Sequence, residues 1–300
     1  AVIAFNRGAA KPLLFVNAAS SCGDAAVARL QAAGLPCFGS VKDAARYLHN
    51  RLGYTRQAAA EAGSDAGFPT ARVDEACRAL PTGLVPEHTA KQLLSAAGIA
   101  TTAGTIAATA EQAVQAAHEI GFPLAMKVVS AQISHKSDIG GVALNVRDEA
   151  AIGLQFEALR AAVAGVPGAV FEGCLVQQMA RADAELLVGT HWDAQFGAML
   201  TFGFGGTLVE LQRDTALLPA GAGRTAIAQA LAGLRQYALL KGYRGRAPAN
   251  VDAIVDLIHR MGRLALYLGE RLAECEANPV MVHGNTVVVA DARAVWKEEQ

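Results

Sequence analysis

The stretch that decides the fold reads AMKVVSAQISHKSDIGGV and covers residues 125–142. Its first part has the apolar composition of a buried strand and carries a single lysine, Lys127. Its second part combines His135 and Lys136 with two adjacent glycines at 140–141. Because glycine has no Cβ, such a turn lets backbone N–H groups face an anion. The strand lysine and the turn together indicate a phosphate site.

The orientation of Lys127 is open to two interpretations. A desolvated ammonium group costs several kcal/mol unless it meets an anion or reaches water, so a lysine in an apolar strand is expected to point at a ligand. The alternative is a lysine at the edge of a strand with its head in solvent. A glycine pair occurs in many turns, so the phosphate interpretation depends on these residues occurring together.

Composition excludes several classes of protein. The chain has 300 residues, of which 52% are hydrophobic, and its mean hydropathy is +0.26. This is sufficient for one large or two medium cores, and no uninterrupted apolar run reaches the roughly 18 residues of a membrane helix. We therefore expect a soluble protein. The 26 basic and 27 acidic residues nearly balance, which argues against a general nucleic-acid surface.

The cysteines and the first residues indicate the cellular setting. Five scattered cysteines without a Cys-x-x-Cys pair predict neither a disulfide framework nor a zinc site, and favour the reducing cytoplasm. The opening residues AVIAFNR lack the pattern of a signal peptide and contain no initiator methionine. We expect the chain to begin partway through a longer polypeptide.

Residues 1–53 predict a strand–helix–strand–helix unit, which is typical of a parallel sheet covered by helices. Two strands cannot form a stable doubly wound domain, so this unit is expected to be part of a larger one. Residues 54–84, with several glycines and prolines among small polar residues, predict a linker or wrapping segment. The elements of the unit are predicted at 12–17, 24–33, 36–38 and 41–52.

Residues 85–300 predict a second region of mixed helices and strands. A helix follows Pro86 and stops at Gly98, and Thr109 with Gln112 forms a capping box for the next helix. Helical spacing of apolar residues over 251–270 predicts a long amphipathic helix. Further elements are predicted as strands near 142–146, 172–178, 184–190, 197–202, 273–282 and 286–291, and as a helix over 149–164.

Two further segments carry candidate ligand residues. The first contains Gln178, Met179 and Glu185, which belong either to ordinary core strands or to a nucleotide site. In a nucleotide site, the backbone near Gln178 and Met179 suits an adenine edge and Glu185 suits ribose hydroxyls. The second segment contains Asn278 at the end of an apolar strand, and Asp291 ends the next strand. Amide and carboxylate oxygens are ligands that Mg²⁺ accepts, although Asn278 with its following proline is also explained as a turn.

These motifs, in this order, resemble the ATP-grasp domain of the NDP-forming acyl-CoA synthetases, relatives of succinyl-CoA synthetase. The resemblance covers about residues 75–295. It implies an α/β protein with an ATP-grasp fold of two α+β subdomains, preceded by part of a flavodoxin-like ligase domain. The matching motifs are Lys127 in its strand, His135–Val142, Val176–Met179, Glu185–Gly189, Phe202–Gly206, Val209–Asp214, Gly242–Gly245, Asn278-Pro279 and Asp291–Arg293.

The resemblance implies a reversible reaction in which an acid, CoA and an NTP exchange with acyl-CoA, NDP and phosphate. Acyl phosphate and phosphohistidine are the intermediates, and His135 is the relay histidine. ATP or another NTP and Mg²⁺ are the implied cofactors, and Asn278 and Asp291 are the implied metal ligands. The implied nucleotide-binding residues are Lys127, Lys136, Ser137, Gly140, Gly141, Gln178, Met179 and Glu185.

The sequence departs from the family pattern at two positions. Asp214 is followed by Thr-Ala-Leu-Leu-Pro, where many members carry an arginine, and Glu276 stands where an aspartate is frequent. CoA-binding and primary phosphohistidine domains are expected on other parts of the polypeptide or on a partner chain, within an oligomer. Two alternatives remain: the synthetase-like regulatory region of a fused protein acetyltransferase, and an ATP-grasp carboxylate–amine ligase. His135 beside the glycines weighs against the second.

Overall fold

The structure is a computed structural model and describes residues 14–17, 24–48, 67–133, 136–206, 214–242 and 247–297. The chain divides into two compact units, Ala1–Ser64 and Asp65–Gln300. Within the described ranges, every helix is too short or too polar to cross a bilayer.

The first unit contains a pair of parallel strands. Strands Phe15–Val16 (β1) and Cys37–Phe38 (β2) are joined through helix Asp24–Ala32 (α1), and a second helix (α2) covers residues 41–48. The predicted order of elements and the parallel pairing are confirmed. The end of the second predicted helix, residues 49–52, lies outside the described residues.

The second unit combines antiparallel sheets with helices. Its helices are Thr70–Cys77 (α3), Glu87–Ala96 (α4), Ala110–Ile120 (α5), Glu149–Ala164 (α6), Arg224–Ala232 (α7) and Val251–Leu268 (α8). Its first strands are Gly83–Val85 (β3), Gly104–Ala107 (β4), Leu124–Val129 (β5), Val142–Val146 (β6) and Gly173–Gln178 (β7). The others are Ala184–Asp193 (β8), Gly197–Phe204 (β9), Thr215–Pro219 (β10), Leu272–His283 (β11), Thr286–Val289 (β12) and Ala292–Trp296 (β13).

One sheet has four strands in the order β4, β7, β5, β6, all antiparallel. Strand β5 is central and almost wholly buried, which explains its continuous apolar run. Helices α5 and α6 pack against this four-stranded sheet, and Met126, Ile152 and Val176 lie in the shared core. This sheet therefore holds Lys127 on a strand that is paired on both sides.

The other sheet has seven strands. Its path is β10, β9, β8, β11, β13, β3, and β12 also pairs with β11. Strand β8 alternates buried and partly buried residues, because one face packs on the core formed with α4, α7 and α8. Leu93 of α4, Phe202 of β9 and Ile258 of α8 are fully buried in that core.

Side-chain caps begin four helices of the described residues: α5, α6, α8 and also α2, where the Ser40 hydroxyl accepts from the Asp43 N–H. The Thr109 hydroxyl accepts a hydrogen bond from the Gln112 N–H, and the Gln112 side chain accepts one from the Ala108 N–H. The predicted capping box is therefore confirmed, with the glutamine reaching one residue before the cap. Asp148 and Asn250 cap α6 and α8 in the same way.

A register shift in β11 brings two predicted metal residues together. The pairing of β11 changes between Ala277 and Val280, and the opposite chain breaks between β12 and β13. As a result, the Asn278 N–H donates to the Asp291 carbonyl at 3.0 Å, and the Ala290 N–H donates to the Pro279 carbonyl at 3.0 Å. The strand predicted at 286–291 ends earlier, at Val289, because pairing with β11 is interrupted at residues 290–291, and a further strand, β13, begins at Ala292.

The later part of the predicted linker is structured. Residues 54–84 include α3 and most of β3, and both belong to the second unit. Val73 of α3 is fully buried in the core of the seven-stranded sheet. An eight-residue helix with a single buried apolar residue carries little periodic signal, which explains why the sequence did not predict it. Strands β4, β10 and β13 and helix α7 were not predicted either.

Gly262→Ala should destabilise the protein by about 1–3 kcal/mol, although alanine favours helices. A Cβ on Gly262 in α8 would lie 2.4 Å from the Ala220 carbonyl oxygen, so the helix would have to shift. Gly153 in α6 is the matched control, because a Cβ there meets nothing within 4 Å. Gly153→Ala should stabilise by about 0.5–1 kcal/mol. Urea unfolding followed by circular dichroism measures both, and a Gly262→Ala protein as stable as wild type would contradict this packing.

Candidate functional site

Lys127 is buried and held by two carboxylates. Its side chain is only 8% exposed. Its Nζ donates to Glu87 Oε1 at 2.6 Å, to Asp291 Oδ2 at 2.6 Å and to the Ala290 carbonyl at 3.4 Å. The alternative of a strand-edge lysine with its head in solvent is therefore wrong.

Lys127, Lys136, Glu87 and Asp291 form one lysine–carboxylate cluster. Glu87 is its central residue, and the sequence analysis missed it. It occupies the first turn of α4, its side chain is 4% exposed, and its second oxygen, Oε2, accepts from Lys136 Nζ at 2.6 Å. A buried carboxylate is tolerated only when it is paired, and here each oxygen has its own lysine. The available signal was a charged residue directly after Pro86, one turn before Lys91, on the apolar face of a helix.

A second buried lysine, Lys91, belongs to a hydrogen-bond network next to the lysine–carboxylate cluster. Lys91 Nζ donates to Thr102 Oγ1 at 2.7 Å and to Gln177 Oε1 at 3.0 Å. The Gln177 amide in turn donates to the Ala290 carbonyl at 3.2 Å. This network links α4 to β7 and fixes the backbone just before Asp291.

The charges of the cluster shift one another's pKa values. Burial lowers the pKa of Lys91 to about 8, because its direct partners are neutral oxygens. Burial would also lower the pKa of Lys127, but Asp291 and Glu87 raise it. Burial would raise the pKa of Glu87, yet Lys127 and Lys136 hold it below its ordinary value. For Asp291, burial prevails over the opposing effect of Lys127 and raises the pKa. Together with Lys91, the cluster sets three lysines against two carboxylates, which gives this region an excess of positive charge.

The glycine turn packs closely on itself. A 3₁₀ helix begins at Lys136, and the N–H groups of Gly140 and Gly141 donate to the carbonyls of Ser137 and Lys136. A Cβ on Gly141 would lie 2.8 Å from the Lys136 carbonyl oxygen, and Gly140 has a φ of +72°, so both positions require glycine. Both N–H groups are thus engaged within the turn, and their contact with phosphate stays a prediction. His135 lies outside the described residues.

Asn278 and Asp291 lie side by side, joined by the hydrogen bond from the Asn278 N–H to the Asp291 carbonyl. Asn278 Nδ2 donates to Glu276 Oε1 at 3.0 Å. The amide nitrogen therefore faces Glu276, and the amide oxygen lies on the opposite side of the group. Within the described residues, no group of three histidine, cysteine or acidic side chains could hold a metal ion. A cation here would need the amide oxygen, water and ligand oxygens, which is the coordination that Mg²⁺ favours.

A cleft of about 850 Å³ adjoins the ends of β7, β8 and β11, and Met179 and Glu185 line it. Glu185 lies opposite Met281 in the pairing of β8 with β11. Gln178 precedes Met179, and its N–H donates to the Ala103 carbonyl at 2.9 Å. The volume is in the range of small-molecule sites. Charged or ionisable side chains around the cleft are Arg147, Arg181, Asp183, Glu185 and His283.

A smaller cavity of about 180 Å³ borders the lysine–carboxylate cluster. Glu87, His88, Lys136, Asp291 and Arg293 contribute to its lining. Its volume is below the usual range for a whole small-molecule ligand, so it suits a single chemical group.

Asp214 has a structural environment. It is buried, and its carboxylate accepts hydrogen bonds from the N–H groups of Arg235 and Gln236, each at 2.9 Å. The Asp214 carboxylate therefore stabilises the backbone at the start of the 3₁₀ helix Arg235–Lys241 and is shielded from solvent.

Comparison with known proteins identifies one family. Residues 77–295 match a family model described as an ATP-grasp domain. The chain is 40% identical over 207 residues to acetate–CoA ligase [ADP-forming] I of Archaeoglobus fulgidus, a match that covers 69% of this chain and 30% of that protein. It is 33% identical over 210 residues to the beta subunit of acetate–CoA ligase [ADP-forming] I of Pyrococcus furiosus, covering 70% of this chain and 90% of that subunit.

A solved structure shares the fold. It is described as the dinucleotide forming acetyl-coenzyme A synthetase 1 of Ca. Korarchaeum cryptofilum in complex with coenzyme A, Ca-AMPCP and HgCl+. The TM-score is 0.69 at 38% identity, and the match covers 72% of this chain and 94% of that chain. The fold predicted for the second unit is confirmed.

Lys127→Ala should lower the free energy of unfolding by about 3–5 kcal/mol, because two carboxylates lose their shared ammonium group. Arg160→Ala is the control, since Arg160 and Glu157 form an exposed pair on α6. It should cost at most about 0.5 kcal/mol. Urea unfolding at pH 7 measures both changes, and equal small losses would show that Lys127 is not held as described.

Lys91 should make stability rise with pH between about 8, its pKa in the folded protein, and 10.5, the ordinary pKa of a lysine side chain. In that window the unfolded chain keeps a proton that the folded protein has released, so the free energy of unfolding increases with pH. At about 1.4 kcal/mol per pKa unit, the gain reaches about 3 kcal/mol. Lys91→Met should lack this gain, and urea unfolding of both proteins from pH 7 to 10 tests it. A constant difference between them would contradict the lowered pKa.

Proposed function

The chain belongs to the ATP-grasp domain family, and on that premise we propose that it supplies the nucleotide and Mg²⁺ site of an NDP-forming acyl-CoA synthetase. Such an enzyme converts an acid, CoA and an NTP into acyl-CoA, NDP and phosphate through acyl phosphate and phosphohistidine. The observation that carries the proposal is the buried Lys127 cluster beside Asn278, within the range that matches the family. The relatives named above are ADP-forming acetate–CoA ligases.

In this proposal the nucleotide lies in the cleft. The backbone at Gln178 and Met179 binds the base, and Glu185 binds the ribose hydroxyls. The phosphates extend towards Lys127 and Lys136, where the excess of positive charge favours an anion. Ser137, Gly140 and Gly141 contribute once the hydrogen bonds within their turn have rearranged.

Asn278 and Asp291 would hold Mg²⁺. The hydrogen bond from Asn278 to Glu276 orients the amide, and oxygen donors of this kind suit a hard cation. When bound, Mg²⁺ would offset negative charge on the phosphates. Asp291 contacts Lys127 in the structure, so Lys127 would exchange this carboxylate for a phosphate oxygen.

His135 is the proposed nucleophile. Its imidazole would attack the γ-phosphorus, the bond from that phosphorus to the β–γ bridging oxygen would break, and NDP would leave. The phosphoryl group would then pass from His135 to the primary phosphohistidine residue of another domain or chain, and from there to the acid. Imidazole is a competent nucleophile near neutral pH, and Lys136 follows His135 directly in the chain.

The whole reaction needs parts beyond this chain. The chain spans 30% of the length of the Archaeoglobus relative, whereas it covers 90% of the Pyrococcus beta subunit. We propose that CoA binding and the primary phosphohistidine reside in other domains or in a partner chain of an oligomer. Residues 1–53 are proposed as part of a flavodoxin-like ligase domain. The four cysteines of the described ranges are free thiols, which supports a cytoplasmic setting.

MgATP should stabilise the chain. At about 100-fold excess over its dissociation constant, a ligand adds about 2.7 kcal/mol to the free energy of unfolding. Thermal unfolding with MgATP, ATP plus EDTA, and Mg²⁺ alone should show the full shift only with MgATP. The absence of any shift at millimolar nucleotide would overturn the proposed function.

His135→Asn should bind MgATP as wild type does but fail to take up phosphate. Asparagine cannot act as the nucleophile, so incubation with γ-labelled ATP and Mg²⁺ should leave no acid-labile, base-stable label. His118→Asn is the control, because His118 is an exposed residue of α5 that pairs with Glu149. It should be labelled like wild type. Equal labelling of the His135→Asn protein would place the phosphoryl group elsewhere.

A further inference from the structure

We propose that Glu87 is a positioning residue that holds Lys136 at the phosphate site by tying it to the same carboxylate as Lys127. This inference deepens the proposed function and rests on it, because the lysines are assigned to the phosphates only there. Glu87 itself contacts neither nucleotide nor metal in this proposal.

The geometry gives each carboxylate oxygen one lysine. Oε1 accepts from Lys127 and Oε2 accepts from Lys136, both at 2.6 Å. Charge-assisted hydrogen bonds of this length are strong and directional. The position of one ammonium group relative to the other is therefore set by a single rigid group.

The two lysines differ in how firmly the backbone holds them. Lys127 lies on β5, which is paired on both sides, and Asp291 binds it as well. Lys136 begins a single turn of 3₁₀ helix, and Glu87 accepts its described side-chain hydrogen bond. Glu87 thus connects Lys136 in the turn to Lys127 on the rigid strand, and so limits where Lys136 can lie.

Glu87 is itself anchored in the other sheet. It follows β3 and Pro86, and the Pro86 carbonyl accepts the Ala90 N–H in the first turn of α4. Val85, two residues earlier, pairs with Ala294 of β13. A residue that spans from one sheet to a turn beside the other sheet can set the position of that turn.

Positioning and simple charge compensation have opposite consequences. If Glu87 only neutralised the lysines, its removal would leave Lys136 more available to phosphate and more important for binding. If Glu87 positions Lys136, its removal lets the lysine turn towards water, so that Lys136 no longer contributes. A double-mutant cycle on nucleotide affinity separates the two.

The experiment measures the dissociation constant for MgATP by calorimetry on the whole chain. The variants are Lys136→Ala, Glu87→Gln and the double variant. We expect Lys136→Ala to weaken binding about tenfold in the wild-type background, equivalent to about 1.4 kcal/mol. In the Glu87→Gln background the same change should cost less than about threefold, whatever Glu87→Gln does alone.

Glu87→Asp covers the case in which the glutamine variant does not fold. Aspartate keeps the charge but is one methylene shorter, so it cannot span both lysines. If Glu87 positions Lys136, the Lys136→Ala change should have little effect on MgATP affinity in this background too. If Glu87 only compensates charge, Lys136→Ala should weaken MgATP binding as much as it does in the wild-type background. Glu172→Gln is the matched control: it removes a carboxylate from the same small cavity, and the described hydrogen bond of that carboxylate is with the Ala131 N–H. There the tenfold effect should persist.

Each outcome decides the inference. A tenfold or larger effect of Lys136→Ala in the Glu87→Gln and Glu87→Asp backgrounds overturns it, as does no effect of Lys136→Ala in wild type. If wild type fails to bind MgATP, the proposed function is overturned and this inference with it. If wild type binds and the coupling is absent, only the role of Glu87 fails.

Discussion

A lysine buried between two carboxylates is the constraint on which the rest of the second unit depends. Lys127 belongs to the four-stranded sheet, whereas Glu87 and Asp291 come from segments attached to the seven-stranded sheet. Separating them would leave charges in an apolar interior, at a cost of several kcal/mol each. The start of α4 and the break between β12 and β13 must therefore both meet β5, and the two sheets are held in one arrangement by electrostatics as well as by packing.

Much of this arrangement could be predicted from local sequence. The period of the apolar residues predicted β5, β6, β8, α6 and α8 close to their observed bounds, and the Thr109–Gln112 box predicted the start of α5. The order of the motifs predicted the family. Regularly spaced apolar residues carry enough signal in a single sequence, whereas β3, β4 and the short helix α3 do not, and the nine-residue helix α7 was missed as well.

The partners of Lys127 could not be predicted in the same way. Glu87 is 40 residues away in the chain and Asp291 is 164 residues away. Strand pattern shows that a buried lysine needs an anion, but not which carboxylate supplies it. Asp214 illustrates the same limit, since its carboxylate binds the backbone of a turn 21 residues later, which no local pattern indicated. Long-range pairing becomes visible only in the folded chain.

The Asn278–Asp291 pair, at the register shift in β11, lies away from the turn of the β11–β12 hairpin, so an insertion or deletion in that turn would leave the pair in place. Between that pair and the turn at Gly284 and Asn285, four residue pairs hold β11 against β12, from Val280 with Val289 to His283 with Thr286. Insertions in a lineage accumulate at exposed turns, where they leave the paired strands unchanged. The hairpin tip can therefore lengthen or shorten over evolution without moving the side chains of Asn278 and Asp291, and relatives can differ at this tip while keeping the same proposed site.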